Sequence, residues 1–121
     1  VKKQLDIERK FDLIMTIVNR GFADQVVDAA RSAGSHGGTV FYARGAGVRE
    51  VEKFFAISIQ PEKEVVMNLV KHEQTQAIMH SIVAAAGLRT EARGMAFALP
   101  VTNVAGIVHS MEEMEGIKKK K

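Results

Sequence analysis

Four histidines, His36, His72, His80 and His109, are the side chains in this sequence best able to hold a metal or move a proton. His72 and His80 are eight residues apart on what reads as one helix, roughly 80° apart around its axis and too far along it to share an ion. The absence of cysteine excludes disulfides, thiolate metal sites and the commonest covalent redox chemistry. Glu112, Glu113 and Glu115 cluster after Ser110, but Ser110 with Glu113 fits a capping box, so a short terminal helix explains them without catalysis. Gly45 and Gly47 form an isolated GxG, too short for a dinucleotide fingerprint. No HExxH pair, strand-end nucleophile elbow or complete phosphate loop accompanies it. These residues point away from an enzyme.

The elements that would position any site read as follows. A chain of 121 residues, 46% apolar, holds one domain with one core. No apolar run approaches the roughly 18 residues of a membrane span, and VKKQLDIERK lacks the apolar stretch of a signal peptide, so a cytoplasmic protein without membrane insertion is expected. The net charge of +3 owes part of its excess to Lys118–Lys121, a run that reads as a solvated tail. With six Phe, one Tyr and no Trp, the stacking aromatics of a single-strand nucleic-acid binder are scarce, so no nucleic-acid partner is expected.

Phe11 to Val18 reads as a central strand, because apolar residues fill both parities and β-branched types are frequent. Asn19-Arg20-Gly21 is turn chemistry. Phe22, Val26, Ala29, Ala30 and Ala33 then recur at helical spacing, and Gly34 is the expected C-cap. Thr39–Arg44 and Lys63–Val70 are further strands. His72–Ala86 is a second helix, with Ile78, Met79, Ile82, Val83 and Ala86 expected inside and Gly87 ending it. Met95–Val101 is the last strand, confined by Pro100 to an edge or a bulge. The order β-α-β-β-α-β predicts an α+β, ferredoxin-like sandwich: a four-stranded antiparallel sheet with two helices on one face. Apolar residues at both parities, such as Leu13 beside Ile14 or Val65 beside Val66, predict that the second face is covered too, most economically by oligomerisation.

Residues 48–62, VREVEKFFAISIQPE, join two strands that need only a short turn, and insertions of that length are usually functional or disordered. Arg49 and Glu50 give the insert charge. Phe54, Phe55, Ile57 and Ser58 belong to FFAISI, an alternating run too apolar for a solvated linker, which should dock on its own assembly or on a partner.

With GGTVFYARGAG (37–47) ending the second strand, the element order and the long insert in the matching place, the sequence resembles the PII signal-transduction (nitrogen regulatory protein PII) family over residues 11–109, about four fifths of the chain. The resemblance implies a trimeric, cytoplasmic, non-enzymatic regulator of nitrogen metabolism. Residues 1–121 would form a single PII-like domain, with an N-terminal extension at 1–10, a T-loop-like insert at 48–62 that binds a protein partner such as a transporter or metabolic enzyme, and a C-terminal tail at 110–121. It also implies ATP or ADP in the cleft between subunits. Ile17, Thr39, Gly45, Gly47, Lys63, Leu69 and Gly94 match the family's nucleotide-site positions. Lys63, at a strand start, can meet phosphate as a point charge.

The sequence also departs from the family. Its phosphate loop TGxxGDGK corresponds to Leu88–Met95, LRTEARGM, with methionine in place of the lysine, and two phosphate-gripping arginines fall on Gly106 and Val108. Arg89 and Arg93 are the cations at hand to replace them; the alternative is a less charged ligand such as AMP. The insert holds no tyrosine for nucleotidylylation, and Ser58 is its only hydroxyl. Two further readings are a trimeric scaffold without ligand and a metal-binding protein like the copper-tolerance proteins of the same topology.

Overall fold

The computed structural model describes residues 10–45 and 61–106. Their elements are β1 (Phe11–Asn19), α1 (Ala23–Ser32), β2 (Thr39–Arg44), β3 (Glu62–Lys71), a 3-10 turn at His72–Gln74, α2 (Thr75–Ala86) and β4 (Met95–Val101). The strands form one antiparallel sheet in the order β2-β3-β1-β4. This is the expected ferredoxin-like arrangement, with β1 and β3 central.

The two strand faces follow from period-2 alternation. On the helix face, Ile14 and Val18 of β1 and Val66 and Val70 of β3 meet Val26 and Ala30 of α1 and Ile78, Ile82 and Ala86 of α2, all buried. On the other face Leu13, Met15 and Ile17 lie in register with Leu69, Met67 and Val65 and with Leu99, Phe97 and Met95. Nothing among the described elements covers that face, and Met95, Leu99 and Phe97 keep 54%, 44% and 39% of their surface. β1 is therefore fully buried on one side and half-buried on the other.

Thr39–Arg44 and Met95–Val101 fall where the sequence places them, and β4, with Pro100, is an edge strand. Two expectations for the second helix are corrected. Its first turn, His72–Gln74, is 3-10 and α2 proper starts at Thr75, while the His72 amide, unpaired within any helix that starts there, donates to Lys10 O. Val83 is 53% exposed and Met79 half-buried, since the buried stripe runs Thr75, Ile78, Ile82, Ala86 and turns Val83 outward. Gly34, after the last turn of α1, has φ +117°, the left-handed conformation that makes glycine the favoured residue there.

Candidate functional site

The antiparallel register sorts the sequence-predicted site residues between two ends of the sheet. At the C-terminal end of β1, Asn19 and Ala43 both lie opposite Lys63, and Ile17 lies opposite Val65 and Met95. Ile17, Gly45, Lys63 and Gly94 are thus brought to one end. Thr39 lies opposite Met67 and Leu69 opposite Leu13, toward the other end. Lys63 and Leu69 are six residues apart on β3, about 20 Å at the ordinary strand rise, so one small ligand does not reach both groups within one chain. Gly47 and the insert residues Arg49, Glu50, Phe54, Phe55, Ile57 and Ser58 lie outside the described residues.

Lys63 is 8% exposed, and its Nζ donates to Asn19 Oδ1 at 2.7 Å. Asn19 in turn donates from Nδ2 to Glu91 O at 3.2 Å and from its backbone N–H to Ala92 O at 2.9 Å. On either side of Lys63, Glu62 forms an ion pair with Arg20, and Glu64 Oε1 accepts the amides of Gly21 (2.8 Å) and Ala23 (3.0 Å). Glu64 thereby supplies the N-terminal acceptor of α1 that Phe22, at the cap position, cannot provide. The Arg20–Glu62 pair is more than half exposed on both sides and contributes little. Asn19 and Glu64 are functional-end residues that the sequence did not mark: Asn19 read as turn chemistry, and its partners lie 44 and 72 positions away.

The connection from α2 to β4 is tightly folded. Thr90 donates from both N–H and Oγ1 to Gly87 O, Arg93 N–H to Thr90 O, and Gly94 N–H to Ala86 O. Ala92 is fully buried, while Arg89 and Arg93 stand exposed, Arg93 at φ +50°. Gly94 is buried, and a Cβ there would overlap the Ala86 carbonyl oxygen and lie 2.9 Å from Val18 Cγ1, so intramolecular packing alone demands glycine. At this end of the sheet the buried Lys63 ammonium lies beside Asn19, with Glu62 and Glu64 flanking it on β3, and Arg89 and Arg93 are exposed residues of the loop that Asn19 bonds.

At the opposite end, Asp12 is fully buried. Its Oδ2 accepts Thr75 Oγ1 at 2.7 Å and lies 2.9 Å from His72 Nδ1, at the start of α2. A shallow pocket opens there between α2 and β4, lined also by Gln76, Met79 and Ala98. Among the described residues no group of three or more His, Asp or Glu could hold a metal ion, and no helix is long and apolar enough to cross a membrane. His109 lies outside the described residues.

A sequence model of the family described as "Nitrogen regulatory protein P-II" matches residues 11–110. Among solved structures, the chain is similar to Arabidopsis thaliana PII bound to citrate, with 25% identity, 84% of this chain and 83% of that chain covered, and a TM-score of 0.65. No curated protein sequence matches.

Proposed function

The chain belongs to the P-II nitrogen regulatory protein family, and on that premise we propose that it is a non-enzymatic cytoplasmic regulator, of nitrogen metabolism, that binds a small anionic effector, an adenine nucleotide, between copies of itself. The observation that carries this reading is the gathering of Lys63, Gly45, Ile17 and Gly94, with Arg89 and Arg93, at one end of the sheet. The matching positions Thr39 and Leu69, about 13 and 20 Å along the sheet from Lys63, would come from a neighbouring copy. A homotrimer supplies that neighbour, and it gives the open apolar face of Leu13, Met67, Phe97 and Leu99 its cover. Residues 48–62, including Arg49, Phe54 and Phe55, would engage the protein partner.

Effector binding becomes regulation only if the two loop states differ in affinity for it. Methionine at 95 and glycine at 106 remove cations from the family's pattern, which favours AMP or ADP over ATP. The test is isothermal titration calorimetry with ATP, ADP and AMP, with and without magnesium and 2-oxoglutarate, and with citrate as a small polyanion. Micromolar binding that is lost in Lys63→Ala supports the reading; no heat with any member of the panel rejects the nucleotide and leaves a scaffold.

A further inference from the structure

We propose that Asn19 is a positioning residue that couples the Lys63 ammonium to the 88–94 loop, so that one side chain sets both cationic walls of the anion site; this rests on the ligand-site reading above. The amide orientation is fixed by chemistry. Lys63 has only donors and the Glu91 carbonyl only accepts, so Asn19 must turn its oxygen to Lys63 Nζ (2.7 Å) and its NH2 to Glu91 O (3.2 Å).

Glu91 lies between Arg89 and Arg93, and Arg93 is held at φ +50°, a conformation that persists only where surrounding contacts enforce it. Those contacts are the burial of Ala92, the Gly94 N–H to Ala86 O bond, and the two bonds from Asn19. An anion attracting the Lys63 ammonium changes the charge against Asn19 Oδ1 and, through Nδ2, the hold on the loop that carries the arginines. The same path runs in reverse, since coupling between two sites is reciprocal. Asn19 itself need not touch the ligand to alter affinity, because it acts through Lys63 and the loop.

Amide hydrogen exchange of the full chain, read by mass spectrometry without ligand, tests this. Lys63→Met keeps the stem and removes the donors, Lys63→Arg keeps a cation, and Asn19→Ala removes the relay. Lys63→Met and Asn19→Ala should each raise exchange across 88–94 about threefold or more. The double variant should exceed neither, and Lys63→Arg should stay near wild type. Unchanged exchange in Lys63→Met, or two effects that add, overturns the coupling. Should Lys63→Met not fold by circular dichroism, Lys63→Gln replaces it, removing the charge and shortening the reach to Asn19 while leaving the Asn19–Glu91 bond in place; raised exchange then supports the relay and unchanged exchange overturns it. Calorimetry with ATP and AMP on the wild type separates the two readings. Coupled exchange with no nucleotide bound rejects the nucleotide and keeps the relay, whereas nucleotide binding with uncoupled exchange does the opposite.

Discussion

On one face of β1, Ile14 and Val18 are sealed under the helices; one residue along, Leu13, Met15 and Ile17 are only half-buried on the other. β4 repeats the contrast, with Ala96 and Ala98 packed against the core while Met95, Phe97 and Leu99 stand open. The helix face uses small residues on β4 to admit α2. The open face keeps large ones, which a lone chain has no reason to expose. The two faces therefore differ in how they are finished: one is completed by the chain's own helices, the other is left open by the described residues.

That contrast can be broken by mutation. Ile82→Ala, on the helix face, should cost about 2–5 kcal/mol, measured by urea denaturation of wild type and variant. Replacing Asp12 by Ala should cost less, about 1–3 kcal/mol, because it leaves the buried Thr75 hydroxyl with only the long bond to Lys71 O and His72 without its carboxylate. For Leu99→Ser, on the open face, the expected change in intrinsic chain stability is within about 0.5 kcal/mol, with loss of assembly in multi-angle light scattering. A Leu99→Ser chain that is as unstable as Ile82→Ala at unchanged mass would mean that the open face is not an interface. The smallest effect belongs to Arg20→Ala, under about 1 kcal/mol, since its ion pair with Glu62 is solvated.

Much of this architecture is legible in the sequence. Short apolar, β-prone runs next to glycine place β2 and β4 to the residue, and apolar residues at both parities of β1 anticipate two faces that both seek cover. Helix α2 reads less well: TQAIMHSIVAAA is apolar nearly all round, so its pattern does not choose between Met79, Val83 and the true stripe. Of the site, positions carried by family resemblance locate Lys63 and Gly94, yet the reason for Gly94 lies in α2 and β1. Asn19, Glu64 and Asp12 stay silent in sequence because their roles depend on register, which places partners 41 to 72 positions apart side by side.

The Glu64 carboxylate on the first amides of α1 carries a consequence for how the chain acquires its structure. The helix lacks a local side-chain cap, and its acceptor arrives only when β3 has paired with β1, 41 positions downstream. An isolated ten-residue helix is marginal in water. Formation of α1 is thereby tied to a long-range strand pairing, and that loop closure must be met before the helix is rewarded. Kinetically, Glu64→Gln should slow refolding if pairing and capping share the transition state, and should only hasten unfolding if the helix docks later.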